Sequence, residues 1–269
     1  MANPSKSSPL LVAQVSDLHL FADEHQDLLG WNTWASFEVV MQRLMGMSRR
    51  PDLVLLTGDL SQDETEGTYQ KIVQRFTPLE VPTYWIPGNH DHLPTMQRVL
   101  NHPPILPDKV IECGGWRFLL LNTNVPGQVY GALNTENLKW LDLQLSQTPA
   151  EQPVLLTMHH PPFGVGSPWL DKSCLQNTAA FFEVIDRYAQ VQLVLLGHIH
   201  QEFRYKRRGV TYYSTPSTCI QFMPKSTNFA LEDTHPGFRL LWLYPDGQFE
   251  TAVERVYFSQ QLDFAAQGY

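Results

Sequence analysis

Short apolar runs recur along the chain at Leu10–Val15, Leu53–Leu56, Thr83–Ile86, Phe118–Leu121, Val154–Met158 and Leu193–Leu196. Runs of this length, bounded by turn residues, predict buried strands. Between them, Phe37, Val40, Met41 and Leu44 follow an i, i+3, i+4, i+7 spacing, and Leu138, Leu141 and Leu145 do so more loosely. Phe181, Phe182, Ile185 and Tyr188 form a third apolar stripe. These are helix faces. Asn32 or Thr33 would cap the first helix and Asn134 or Thr135 the second. The last quarter changes character. Phe203–Tyr205 and Val210–Ser214 flank Lys206-Arg207-Arg208-Gly209, and Phe238–Tyr244 and Phe249–Val256 flank Pro245-Asp246-Gly247. Both patterns predict hairpins. The chain reads as α/β with a hairpin-rich C-terminal part. We expect a single domain over residues 1–269, with an ordered core at about 10–256 and a tail at 257–269.

Composition narrows the function classes. Of 269 residues, 43% are hydrophobic and 17% charged, so the chain can bury a large core. Lys and Arg number 19 against 27 Asp and Glu, a net charge of −8. That deficit of cations disfavours nucleic acid as a partner, since coating phosphates takes surplus Lys and Arg. The basic cluster Arg204, Lys206, Arg207 and Arg208 reads as a solvated hairpin tip. No run approaches the ~20 apolar residues of a membrane span. Met1–Val15 lacks the long apolar stretch of a secretory signal. Cys113, Cys174 and Cys219 are few, scattered and never paired as CxxC. A reducing compartment, the cytoplasm, is the expectation.

The chemistry lies where the strands end. Val15 is followed by Ser16-Asp17-Leu18-His19, Leu56 by Thr57-Gly58-Asp59, and Ile86 by Pro87-Gly88-Asn89-His90-Asp91. Met158 runs into His159-His160, and Leu196 into Gly197-His198-Ile199-His200. In α/β sheets, ligands bind beyond the carboxyl ends of the strands, so five loops deliver these groups to one rim. Any one loop reads as an ordinary turn; the conjunction points to a metal site. Imidazole, carboxylate and amide donors without thiolate suit iron, manganese, zinc or cobalt. Asp17, His19, Asp59, Asn89, His159, His198 and His200 are too many for one four-ligand ion, but divide between two ions that share a carboxylate. Two divalent ions against two carboxylates leave a positive site, which a hydroxide and a singly charged phosphodiester would neutralise.

The ordered set Asp17-x-His19, Gly58-Asp59, Gly88-Asn89-His90-Asp91, His159 and Gly197-His198-x-His200 resembles the calcineurin-like metallophosphoesterases. Further blocks are similar to the bacterial class III 3′,5′-cyclic-AMP phosphodiesterases of that superfamily: residues 28–34, 197–202, 214–222 and 236–239. The likeness runs from about Val12 to Tyr269. It implies a four-layer α/β/β/α sandwich and two divalent ions, iron or manganese first, zinc or cobalt as alternatives. Asp17, His19, Asp59 and His200 would hold one ion, and Asp59, Asn89, His159 and His198 the other. The implied partner is a small cyclic nucleotide, lying against His19, Asp59, Asn89, His90 and His200, with no nucleic acid and no membrane; the oligomeric state is left open.

The expected reaction is hydrolysis of cyclic AMP to 5′-AMP by a hydroxide bridging the ions, in line with the departing 3′-oxygen. His90 would serve as general acid, with Asp91 orienting its ring. A glycerophosphodiesterase, or a broader phosphodiesterase, fits the metal motifs equally well. A scaffold that has lost activity should lack ligands, and none is missing. Trp31, Tyr130, Phe163, Trp169 and Phe222 are loop aromatics that could meet a base, each read singly as packing.

Overall fold

The computed structural model describes residues 8–268. Residues 1–7, the start of the Met1–Val15 segment, and Tyr269 lie outside the described residues. Two six-stranded mixed sheets form the centre. The first takes β1 (Leu10–Val15), β2 (Leu53–Thr57), β3 (Thr83–Ile86) and β4 (Ile105–Leu106) as parallel neighbours. The second contains β5 (Val110–Cys113), β6 (Trp116–Leu120), β7 (Val154–Met158), β8 (Val191–Leu196), β9 (Phe203–Arg207) and β10 (Val210–Ser214), in the order β9-β10-β8-β7-β6-β5. Chain end and chain start then meet. β11 (Gly237–Leu243) pairs antiparallel with β1, and β12 (Phe249–Arg255) closes that edge.

The side-chain alternation of a strand builds the layers. Leu10 and Val12 of β1, with Leu53 and Leu55 of β2, face the second sheet, where Phe118, Leu155, Leu193 and Leu195 meet them. Leu11, Ala13 and Val15 face the other way, onto α1 (Thr33–Met45) and α2 (Glu66–Phe76), where Phe37, Met41, Tyr69, Ile72 and Phe76 cover them. On the far side of the second sheet, Val154, Leu156, Val194 and Leu196 meet Leu141 and Leu145 of α4 (Thr135–Ser146) and Phe181 and Ile185 of α6 (Thr178–Ile185). Helices thus cover both outer faces, giving the expected α/β/β/α order. Two shorter helices, α3 (Leu93–Val99) and α5 (Pro168–Asp171), follow the third and fourth rim loops.

The structure settles the caps: the side chains of Asn32 and Asn134 accept from the amides of Ala35 and Asn137 at 2.7 and 2.8 Å. It also revises three expectations. The third apolar stripe runs past its helix, which stops at Ile185; Tyr188 lies beyond it and donates to the Asp142 carbonyl at 3.2 Å. The periodic pattern does not mark α2, whose apolar positions are diluted by polar ones. The basic hairpin is only partly a solvated tip. Arg207 pairs with Asp186 and stacks over Phe182 at 3.8 Å, fastening β9 to the end of α6.

Candidate metal centre

The five loops emerge from the carboxyl ends of β1, β2 and β3 in one sheet and β7 and β8 in the other. Parallel pairing of β1 and β2 carries on past the strands through Asp17 N–H to Gly58 O (3.0 Å) and His19 N–H to Asp59 O (3.0 Å). This extension holds the backbone in corners that side chains rarely adopt. Asp17, His19, Asp59, His198 and His200 all have positive φ, at 55°, 48°, 52°, 70° and 49°. Each such residue costs on the order of 1–3 kcal/mol, and clusters of them mark functional sites. The glycines of the motifs allow the close approach. A Cβ on Gly88 would overlap the Asp59 carboxylate, and one on Gly58 would overlap the His159 ring.

The seven expected ligands come together at this rim, six of them buried and Asn89 half-buried. Asp17, His19 and His200 offer ligand atoms within 4.8 Å of one another, as do Asp17, Asp59 and His159, and His19, Asp59 and His90. Hydrogen bonds fix which ring nitrogen faces inward, as is usual for metal-bound histidines. His159 Nδ1 donates to Thr57 O at 2.7 Å, His200 Nδ1 to Ile220 O at 2.9 Å, and His19 Nδ1 to Gln62 Oε1 at 2.6 Å. Their Nε2 atoms therefore converge. His19 Nε2 and His200 Nε2 stand 3.1 Å apart, and His159 Nε2 lies 3.1 Å from Asp59 Oδ2 without the alignment of a hydrogen bond. His198 repeats the arrangement with its ring turned. Its Nε2 meets Ser173 Oγ at 2.7 Å, and its Nδ1 faces Asn89 Oδ1 at 2.9 Å. Asp17 Oδ2 and His159 Nε2 are buried with no hydrogen-bond partner. Acceptors pressed together in this way call for cations, so the donor set fits metal ions.

The charge states agree. Burial pushes the His19 imidazole down to about 3 and holds His198 well below its ordinary value, keeping both rings neutral and able to ligate. Burial alone would raise the Asp17 and Asp59 carboxyls, but the surrounding imidazoles more than reverse it and keep both ionised. Burial also depresses His159, and there the Asp59 and Asp17 carboxylates win, holding it up at about 9. A metal ion would take the place of the proton that those carboxylates attract. His160, the sixth histidine near the rim, is taken: Thr123 Oγ1 lies 2.8 Å from its Nδ1, and its Nε2 donates to Val129 O at 3.1 Å. It anchors a loop.

The two residues expected to act on the leaving group part company. His90 stays at the rim, its amide donating to Asp59 Oδ1 at 2.8 Å and its ring edge-on to His19 with centroids 5.0 Å apart. Asp91 does not orient that ring. Its buried carboxylate accepts from the amides of Leu60 (3.1 Å), Ser61 (3.2 Å) and Gly88 (2.9 Å) and from the Tyr69 hydroxyl (3.0 Å). Asp91 thus ties the Asp59 loop to the Asn89 loop as a positioning residue. The chain turns at Asn89–His90, and neighbouring side chains leave a turn in different directions, so adjacency to His90 is no guide to contact. Asp91→Ala should strand those donors and destabilise the protein by about 3 kcal/mol or more. Denaturant unfolding checks this; an unchanged midpoint would remove the anchoring role.

Several partners carry no sequence signal. Gln62, Ser173 and Tyr69 come from loops or helices without a motif. Phe222, one of the aromatics named from the sequence, stacks on His200 at 4.1 Å and 12°. Of the loop aromatics, Trp31 packs on Phe258, and Phe163 packs among Phe203, Tyr205 and Tyr212. Trp169 and Phe222 instead line a cleft of ≈ 620 Å³ that opens from Asn89, His90 and His198.

Comparison with known proteins agrees with this geometry. Residues 10–202 match the model of the calcineurin-like phosphoesterases. The chain belongs to this family, whose members bind divalent metals through such an Asp and His cluster. Over 255 residues it is 48% identical to a 3′,5′-cyclic-nucleotide phosphodiesterase of Nostoc sp., covering 95% of this chain and 96% of that protein. It is 38% identical over 260 residues to the 3′,5′-cyclic adenosine monophosphate phosphodiesterase CpdA of Escherichia coli (strain K12), covering 96% and 94%. In fold it is similar to a dimetal phosphatase from Danio rerio, with TM-score 0.69 at 14% identity over 93% of this chain and 100% of that one. Among the described residues, no helix is long and apolar enough to cross a membrane.

Proposed function

We propose that this protein is a dinuclear metallophosphodiesterase that opens 3′,5′-cyclic AMP to 5′-AMP. The observation that carries the reading is a buried set of carboxylates and imidazoles facing one another, in which Asp17 and Asp59 each belong to two groups able to hold an ion. Asp17, His19, Asp59 and His200 would hold one ion, and Asp59, Asn89, His159 and His198 the other. Iron with manganese is the leading pair, and zinc or cobalt would accept the same donors. When bound, the ions supply Lewis acidity at the phosphoryl group and an acidified water as nucleophile. Each ion draws ligands from both sheets, so residues 10–256 act as one unit.

The residues do the rest. Thr57 O, Ile220 O and Gln62 Oε1 hold three imidazoles in the tautomer that presents Nε2. Asn89 contributes an amide where a carboxylate would lower the site's charge, preserving attraction for a phosphodiester. His90 lines the cleft beside Asn89 and would stand next to a bound phosphate, to hydrogen-bond a phosphoryl oxygen and give a proton to the departing 3′-oxygen. The free thiols of Cys113, Cys174 and Cys219 support a reducing compartment, the cytoplasm. Cyclic AMP as substrate rests on the names of the near-full-length relatives.

A panel of cyclic AMP, cyclic GMP, 2′,3′-cyclic AMP and glycerophosphodiesters, with chromatography of products, tests the reading. The expected result is turnover of cyclic AMP to 5′-AMP without 3′-AMP. Brisk turnover of glycerophosphodiesters with none of cyclic AMP would replace it by the second reading.

A further inference from the structure

The cleft that opens from the metal ligands is much larger than a phosphodiester group needs. Its ≈ 620 Å³ lies within the usual range for a small-molecule site. From Asn89, His90 and His198 it continues to an aromatic corner. Phe222 is fixed beside the ions by its stack on His200. Trp169 stands edge-on to Phe222 at 5.0 Å and 80°, and Phe229 meets both, at 5.1 Å from Trp169 and 5.7 Å from Phe222. Trp169 also carries a buried indole N–H with no hydrogen-bond partner. Asn228, Thr227 and Gln267 add polar groups to the same lining.

The opposite wall is the C-terminal arm. It is clamped to the ribbon of Asp27–Leu28 and Trp31–Asn32 by Asp263 N–H to Leu29 O (2.9 Å) and Asn32 N–H to Gln260 Oε1 (2.8 Å). Leu262 is buried there, and a Cβ on Gly30 would come within 2.7 Å of Gln261 O. The arm then brings Gln267 and Gly268 to the cleft. Residues 28–34, one of the blocks similar to cyclic-AMP phosphodiesterases, therefore lie in the seat of the arm. Three aromatic rings around a cavity, with a few polar groups at its edge, recognise a flat heteroaromatic ring by stacking. A glycerol moiety would leave those rings facing water.

We propose that this corner is a base subsite: Trp169, Phe222 and Phe229 receive the purine of the nucleotide, and the C-terminal arm closes it at Gln267–Gly268. The inference deepens the phosphodiesterase reading, which supplies the nucleotide. Trp169 lies four residues before Ser173, which contacts His198, so the base subsite and an expected metal ligand share one short segment.

Calorimetric titration of the metal-loaded full chain with 5′-AMP and with inorganic phosphate separates the two halves of the cleft. Trp169→Ala should weaken 5′-AMP binding by roughly 10- to 100-fold, as expected for loss of a base–aromatic stack. Phosphate affinity and metal content should match the parent, and Trp169→Phe should recover most of the loss. The KM for cyclic AMP should rise in parallel. Unchanged 5′-AMP binding in Trp169→Ala, or an equal loss for phosphate, overturns the subsite. Failure to turn over cyclic AMP overturns the phosphodiesterase reading alone, because the titration needs no turnover.

Discussion

Replacing Asp59 is expected to abolish phosphodiester hydrolysis and empty the metal centre while the fold persists. Its Oδ2 lies 3.1 Å from His159 Nε2 and 3.8 Å from His19 Nε2, between the two ligand groups, so its loss removes a donor from both ions. It is one of two buried carboxylates in the ligand set, and without it the cations lose half of their compensating charge. The fold should survive because the sheets and helices bury their cores away from the rim. The backbone matters to the choice of variant. At φ 52° alanine adds strain, whereas asparagine tolerates the left-handed region. Asp59→Asn thus keeps the corner and removes only the charge, and Asp59→Ala tests the same point less gently. Elemental analysis, activity and circular dichroism together decide it. Full activity in a folded, metal-depleted variant would end the two-ion reading.

The second large effect is expected at His90, and it should depend on the leaving group. His90 lines the cleft next to Asn89, and its amide is held by Asp59 Oδ1. Opening cyclic AMP expels an alkoxide, which needs a proton; 4-nitrophenolate hardly needs one. General acid catalysis is typically worth roughly 10²–10⁴-fold, so His90→Ala should lose about that factor on cyclic AMP and far less on bis(4-nitrophenyl) phosphate. Metal content should stay at the parent level. Equal losses on both substrates would leave His90 as a phosphate-binding group only.

Where the chain speaks plainly, the reason is periodicity. Leu10–Val15 alternates between two apolar environments and so reads as a strand buried on both faces. The expected ligands are legible because each closely follows such a strand, and the sheet geometry sends all of them to one rim. Glu66–Phe76 is harder, since its stripe of Tyr69, Ile72 and Phe76 is set among exposed polar residues. Asp91 departs from expectation because neighbours in sequence need not be neighbours in space. Phe229, Ser173 and Gln62 leave no trace in the pattern at all. Their places depend on how long loops return to the rim, which local pattern does not record.

The division of the ligands between two sheets has a mechanical consequence. Asp17, His19, Asp59 and Asn89 ride on one half of the sandwich, and His159, His198 and His200 on the other. Beneath them, Gln14 crosses the seam to Leu196 O at 2.9 Å. Ions seated above that seam would act as rivets. Bound only by the assembled halves, such ions would add to the cohesion of the sandwich by mass action. On the two-ion reading, the durability of this molecule would be set in part by its mineral surroundings, and the rim proposed for the chemistry would also fasten the two halves together.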